Sequence, residues 1–103
     1  MNTSIFTQRM DWHGITIEVS WEPAWLSRPE DAYNVGHLQI TSVAPERAPL
    51  PLTETGYRSL FINPEHVTAE GGPLGFLRAW LDCEAQSPRW RAHEQASRQL
   101  ALF

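Results

Sequence analysis

Cysteine is almost absent from this chain of 103 residues, and Cys83 is the single example. One thiol cannot close an internal disulfide, and it cannot supply a structural zinc site, which needs several ligands. The N-terminus lacks the apolar run of a signal peptide, and no segment approaches the roughly 18 apolar residues of a membrane helix. We therefore expect a cytoplasmic protein with no membrane partner.

Basic residues are scarce as well. Eight of them stand against twelve acids, which gives a formal net charge of -4. A protein that binds nucleic acid mainly by neutralising phosphates is normally basic. Broad nucleic-acid binding is therefore not expected, and the acidity is too mild for a dedicated mimic of DNA.

Recognisable catalytic motifs are also missing. The histidines do not lie at metal-ligand spacing from one another; they are His13, His37, His66 and His93. The chain contains no nucleophile elbow, no phosphate-binding loop and no dinucleotide fingerprint, and its acids are too scattered to nominate a general acid–base pair. We therefore expect no enzymatic activity, no metal and no cofactor, and we expect Cys83 to be a buried, inert thiol.

What the N-terminal half does contain is the pattern of β-strands. Apolar and polar residues alternate strictly over 15–21, and this period of two is typical of a half-buried strand. Further strands are predicted over 4–10, 36–43 and 57–62. The first two strands should form a hairpin around Gly14. The strand 57–62 has apolar residues on both faces, which favours a central place in the sheet.

Prolines separate these strands. Residues 22–35 contain two prolines and are predicted to form a long loop, with Trp25 and Leu26 packed down onto the domain. Residues 44–55 contain three more prolines, a density that forbids regular ladder pairing. The sequence therefore predicts two irregular connections within the strand-forming half.

The second half of the chain contains the start and stop signals of helices. Asn63-Pro64 and Ser87-Pro88 each combine a capping residue with proline at the first helical position, and Pro73 follows a glycine pair that should end the preceding helix. Apolar residues recur at helical spacing from Leu74 to Leu81. The whole pattern predicts an α+β fold, in which an antiparallel sheet of about four strands precedes two or three helices packed on one face.

One internal segment is dense in hydrogen-bonding side chains. Thr53, Thr55, Tyr57 and Arg58 follow a long loop, and long loops in compact domains are often functional. These four residues form a possible second binding site. The alternative interpretation is a plain turn, with Gly56 allowing the chain to enter the next strand.

Three segments together carry a family resemblance. They are PLTETGYRSLFINP over 51–64, GGP over 71–73 and AWLD over 79–82. In this combination they resemble small proteobacterial proteins that are often carried on plasmids and other mobile elements. The resemblance implies a bacterial source and an accessory role on a mobile element, and it supplies no catalytic residues.

The last five residues, QLALF, resemble a second known pattern, the clamp-binding peptide of bacterial replication and repair proteins, commonly QL[SD]LF. That peptide docks in a hydrophobic pocket of the DNA sliding clamp, so the resemblance implies the clamp as a partner. Gln99 would supply the polar anchor, and Leu100 would fill a subsidiary cleft. Leu102 and Phe103 would enter the main pocket. Ala101 departs from the usual serine or aspartate.

Two interpretations of this tail are open. In the first, residues 1–98 form the α+β domain and residues 99–103 are a free docking peptide, because terminal segments often leave the fold. In the second, Leu100, Leu102 and Phe103 finish the last helix and pack onto the sheet. A docking peptide that continues the helix would have to unwind before it could bind.

The leading functional hypothesis is a non-enzymatic adaptor of a bacterial mobile element that binds the sliding clamp through its tail. One alternative is an inhibitor of restriction or CRISPR defence. Another is a small ligand-binding domain that acts through Thr53–Arg58. A homodimer is also possible, because the open edge of an antiparallel sheet can pair with another copy.

Overall fold

The computed structural model describes the backbone of residues 5–28 and 33–101 and the side chains of residues 5–26 and 34–96. The elements are β1 (Phe6–Trp12), β2 (Ile15–Arg28), β3 (Tyr33–Ala44), β4 (Tyr57–Ile62), α1 (Pro64–Ala69), α2 (Pro73–Glu84) and α3 (Pro88–Ala101). The strands form one antiparallel sheet in the order β1-β2-β3-β4. This arrangement confirms the predicted α+β class.

A two-residue turn joins β1 to β2. Trp12 pairs with Ile15, and His13 and Gly14 between them have φ angles of 50° and 82°. Positive φ at both central residues is the property of a type I′ turn, whose twist matches that of the flanking strands. The predicted hairpin is confirmed. Glycine suits the second position, whereas a left-handed histidine is uncommon and calls for an explanation from its contacts.

The strands β2 and β3 are longer than the sequence predicts. Residues 22–35 were expected to form a loop, yet Leu26 pairs with Val35 in a ladder that continues beyond them. The register shifts between Glu22 and Leu26, so Pro23 lies in an irregular stretch where no regular ladder N–H is needed. The loop prediction is therefore wrong for residues 22–28 and 33–35, because proline interrupts the pairing locally and does not end the strand, while residues 29–32 lie outside the described residues.

The apolar side chains of this extension do not pack into the core. Trp25 is 47% exposed and Leu26 is 37% exposed, which contradicts the prediction that they hold the segment against the domain. The ring centroid of Trp25 lies 4.6 Å from that of Phe61 and 6.1 Å from that of His37. His37 alternates with the buried Leu38, so this aromatic cluster lies on the sheet face opposite the core.

The strand β4 is an edge strand, which corrects its predicted central position. Among the described strands it pairs with β3 alone. Tyr57 and Phe61 are about half exposed on one face, and Leu60 and Ile62 pack against the core on the other. Apolar residues on both faces therefore reflect a covered inner face and an exposed aromatic outer face.

The core fills the space between the sheet and the helices. The side chains at its centre, all 0% exposed, are Ile17, Leu38, Ile40, Leu77 and Leu81. The first three come from alternating strand positions, and the last two lie one helical turn apart on α2. The helical spacing of apolar residues predicted from Leu74 to Leu81 thus marks the inward face of α2.

Helix boundaries follow the local signals in the sequence. The N–H of Glu65 donates to the side-chain oxygen of Asn63 at 2.8 Å, and the N–H of Trp90 donates to Ser87 Oγ at 3.2 Å. Each helix also begins with a proline, at position 64, 73 or 88. Capping chemistry and proline placement were sufficient to locate all three starts.

Candidate functional site

The threonines of the predicted second site are used within the chain. The Thr53 hydroxyl donates to the backbone carbonyl of Tyr57 at 2.9 Å and lies 3.1 Å from the Thr55 hydroxyl. Gly56, at a φ of 80°, then leads the chain into β4. These hydroxyl groups therefore shape the turn before the strand, as the alternative interpretation of this segment anticipates.

The other two residues of that site lie on opposite faces of β4. The Tyr57 hydroxyl donates to Gln39 Oε1 at 3.0 Å on the open face of the sheet. Arg58 donates to the backbone carbonyl of Leu52 at 3.0 Å, and its guanidinium carbon lies 5.3 Å from the ring centroid of Trp80. Because successive strand residues point to opposite faces, Tyr57 and Arg58 do not line one pocket.

The predicted docking peptide lies at the end of α3. The helical backbone includes residues 99–101, whereas Leu102 and Phe103 lie outside the described residues. Among the side chains that the structure describes, Trp90 is the last member of the core, and Gln95 and Ala96 further along α3 are exposed. The described side chains of residues 91–96, which precede the tail, therefore lie outside the core.

Two contacts anchor the first turns of α3 to the domain. Trp90 is 7% exposed, and its ring centroid lies 5.9 Å from that of Trp12. The Nδ1 atom of His13 lies 2.7 Å from Glu94 Oε2, which links the β1–β2 turn to the helix. His13 also stacks on Trp12 at 3.8 Å with nearly parallel rings. Stacking and the carboxylate contact together account for the left-handed conformation of His13.

A cleft runs along this part of α3, between the helix and the proline-rich segment 44–55. It has two lobes of about 330 and 350 Å³, and both are lined by Pro49, Trp90 and His93. An exposed ion pair between Arg89 and Glu54 lies at the rim of the first lobe. We refer to the two lobes together as the α3 cleft. Its size falls in the range of small-molecule sites.

One of the residues that line the α3 cleft, Trp90, carries a buried, unpaired donor. Within the described part of the chain, Trp90 Nε1 is the buried side-chain nitrogen or oxygen that lacks a hydrogen-bond partner. By contrast, Nε1 of the neighbouring Trp12 donates to Asp82 Oδ1 at 3.0 Å. A buried donor left unpaired costs about 1–3 kcal/mol. The folded domain therefore carries this cost at Trp90.

This contrast gives a matched pair of substitutions. Trp12→Phe and Trp90→Phe remove similar volumes, but only the first breaks a hydrogen bond, and the second removes an unpaired N–H. We expect Trp12→Phe to lower the free energy of unfolding by about 1–2 kcal/mol more than Trp90→Phe does. Urea denaturation of both variants measures the difference. Equal costs would show that the Trp12–Asp82 bond adds nothing to stability.

Cys83 is exposed on α2, which contradicts the predicted burial of its thiol. Among the described residues, no group of three or more histidine, cysteine, aspartate or glutamate side chains is placed to hold a metal ion. Within the same residues, no helix has both the length and the apolar character needed to span a membrane.

Over the residues that the structure describes, four antiparallel strands followed by three helices thus define an α+β domain. A family model of the KlcB third domain matches residues 5–90 of this domain. The match extends over most of the chain, so the chain belongs to the KlcB third-domain family. No curated protein and no solved structure gives a significant match. KlcB is a plasmid-related family, which supports the coarser part of the functional expectation, a plasmid-associated accessory protein.

The matched region and the described core end at the same residue. The family match stops at residue 90, and Trp90 is the last buried side chain among those described. The rest of α3 and the QLALF peptide follow after this point. The resemblance of the tail to a docking peptide is therefore a signal separate from the family membership.

Proposed function

We propose that this protein is a non-enzymatic, plasmid-associated adaptor that binds the bacterial DNA sliding clamp through Gln99, Leu100, Leu102 and Phe103. Membership of the KlcB third-domain family supports the plasmid-associated role. The QLALF peptide supports the choice of partner. Through this contact, the protein is brought to replicating DNA or occupies the clamp in competition with host proteins.

The observation that carries the proposal is the position of the tail relative to the core. The described core consists of residues between Met10 and Trp90, and the tail begins nine positions after the last of them. A terminal segment that lies beyond the core can change its conformation at little cost to the rest of the fold. This separation along the sequence supports a docking role for the tail that leaves the domain intact.

Binding requires a local change in α3. The backbone of residues 99–101 is helical, whereas a peptide that fills a pocket with Leu102 and Phe103 must be extended. The final turn of a helix lacks partners for its last carbonyl groups and frays readily. Burying two large apolar side chains at the centre of a pocket can offset the cost of unwinding one turn.

The double variant Leu102→Ala/Phe103→Ala tests the proposal. We expect its affinity for purified sliding clamp to be at least about tenfold lower than that of the wild type, because the variant removes both side chains assigned to the main pocket. The matched control is Arg91→Ala/Gln95→Ala, which truncates two exposed side chains of α3 and should bind like the wild type. Titration calorimetry with the full chain measures all three affinities.

Two results would contradict clamp docking. One is equal affinity of the wild type and the Leu102→Ala/Phe103→Ala variant. The other is no binding of either protein to the clamp. Both results would favour the anti-defence alternative, which predicts that deleting residues 99–103 leaves the function intact. Ala101→Ser, which restores a residue usual for such peptides, should bind at least as tightly as the wild type.

A further inference from the structure

We propose that the open face of the sheet binds an arginine side chain of a partner protein at the aromatic cluster of Trp25, His37 and Phe61. This site is separate from the tail and does not depend on clamp binding. Three features define the ligand: exposed ring faces, a carboxylate without a partner in the same row of the sheet, and an apolar cleft that shares two of the rings. The first two favour a cation, and the third favours a cation that belongs to a larger molecule.

The three rings form one continuous surface. The ring of Phe61 stacks on that of His37, with centroids 4.6 Å apart and planes 17° apart. The ring centroid of Trp25 lies 4.6 Å from that of Phe61, at an angle of 49°. Trp25 and Phe61 are each about half exposed. The face of an aromatic ring is electron-rich and attracts cations, and tryptophan does so most strongly.

A carboxylate without a partner lies in the same row of the sheet. Glu22 pairs with His37, and His37 pairs with Phe61, so these side chains are neighbours across β2, β3 and β4. Glu22 is half-buried and makes no ion pair or hydrogen bond within the described part of the chain. By contrast, Glu18 on the same face is paired with Arg9 at 3.3 Å. The cluster thus has a free negative charge beside it.

The charge of the open face favours a basic partner. The alternation of β1 and β2 places Asp11, Glu18 and Glu22 on this face, together with Arg9. A surface with this excess of acid repels phosphates, which disfavours stacking of nucleic-acid bases on the rings. It attracts a basic segment of a protein, because complementary charges steer partners together.

Arginine fits this arrangement better than lysine does. A planar guanidinium group can stack on an aromatic ring while its N–H groups donate to a carboxylate, whereas an ammonium group is a compact, strongly hydrated charge. The chain uses the same contact on the inner face of the sheet, where the guanidinium carbon of Arg58 lies 5.3 Å from the ring centroid of Trp80. The site therefore prefers a guanidinium to an ammonium group.

An apolar cleft adjoins the cluster and has room for the residue next to the arginine. Its volume is about 560 Å³, and besides two asparagines it is lined by Trp25, Leu26, Val35, Phe61 and Ile62. Because two of the cluster rings form part of its wall, a ligand can contact the rings and fill the cleft at the same time. An apolar side chain beside the arginine suits this lining, and a free guanidinium ion lacks that second contact.

The test is a titration of the ¹⁵N-labelled full chain with acetyl-arginyl-leucine amide, read from the indole N–H signals. The Trp25 signal is assigned by its disappearance in Trp25→Phe. We expect this signal to move as the peptide is added up to about 20 mM, while the signal of the buried Trp12 does not. The citrulline analogue, which has the same shape without the charge, should bind at least about threefold more weakly. The lysine analogue should also bind more weakly than the arginine peptide.

A matched pair of substitutions separates this site from the general charge of the protein. Glu22→Gln should raise the dissociation constant for the arginine peptide about threefold or more, because it removes the free carboxylate beside the rings. Glu18→Gln removes a charge from the same face but leaves the cluster intact, so it should bind like the wild type. The titrations are run at about pH 8, where imidazole groups are neutral, and at about 0.15 M salt, where distant surface charges are screened.

Deletion of residues 99–103 should leave the response to the arginine peptide unchanged, which separates this site from the clamp-binding tail. The proposal is overturned if the Trp25 signal does not move, or if the citrulline peptide binds as tightly as the arginine peptide. Equal weakening by Glu18→Gln and Glu22→Gln would also overturn it. So would tighter binding of a thymidine oligonucleotide at the cluster, because the rings would then be a stacking surface for bases.

Discussion

Leu81→Ala should lower the free energy of unfolding by about 2–5 kcal/mol. Leu81 lies on the inner side of α2 and is 0% exposed, as are Ile17 and Ile40 of the sheet that it helps to cover. The substitution removes buried methyl groups and leaves a cavity at the centre of a small core. A domain of this size has few other contacts to compensate for the loss.

The control is Leu26→Ala, the same change on the extension of β2. Leu26 is 37% exposed and belongs to the part of the hairpin that pairs with Val35, outside the core. We expect an effect within about 0.5 kcal/mol. Urea denaturation of both variants gives the comparison. Similar costs for the two variants would contradict this fold and would place Leu26 inside the core, as the sequence pattern suggests.

Gly56→Ala should lower the free energy of unfolding by about 3 kcal/mol. Gly56 has a φ of 80°, a region in which a residue with a Cβ atom is strained. An added Cβ would also lie 2.7 Å from the backbone of Arg47, closer than any normal contact. The carbonyl of Gly56 accepts the N–H of Ser42 at 2.8 Å, so the proline-rich segment cannot move away without disturbing β3.

Gly14→Ala separates the two components of this effect. Gly14 has nearly the same φ, 82°, but an added Cβ would meet nothing within 4 Å. We expect this variant to lose only the conformational part, about 1–2 kcal/mol. Melting curves of the two variants, recorded under the same conditions, give the two losses of unfolding free energy. The difference between these losses is the steric part of the Gly56→Ala effect. Equal losses at both positions would show that the close approach of Gly56 to the backbone of Arg47 adds no steric cost.

Features of the fold that depend on residues close together in the sequence were predictable from the sequence. The alternation over 15–21 located the best strand, and the caps at Asn63 and Ser87 located two helix starts, because both signals act within a few residues. The extension of β2 was not predicted. Pro23 suggests a loop, and only the pairing of Leu26 with Val35 shows that the ladder resumes after it.

The two candidate sites also differ in how far apart in the sequence their residues lie. The clamp-binding pattern is contiguous, so it is recognisable without any knowledge of the fold. The α3 cleft brings His13 to Glu94 across 81 positions and Glu54 to Arg89 across 35. No pattern of neighbouring residues in the sequence predicts contacts over such distances. The unpaired N–H of Trp90 likewise becomes visible only when its surroundings are known.

The most direct test of the proposed function is a nuclear magnetic resonance titration of the ¹⁵N-labelled full chain with unlabelled sliding clamp. If the tail is the docking element, the signals of residues 99–103 change first and most strongly, and the helical shifts of 99–101 are lost as the last turn unwinds. The signals of the sheet, including Ile17 and Leu38, should then show only a uniform broadening. Unchanged tail signals, or changes concentrated on the sheet, would contradict the account.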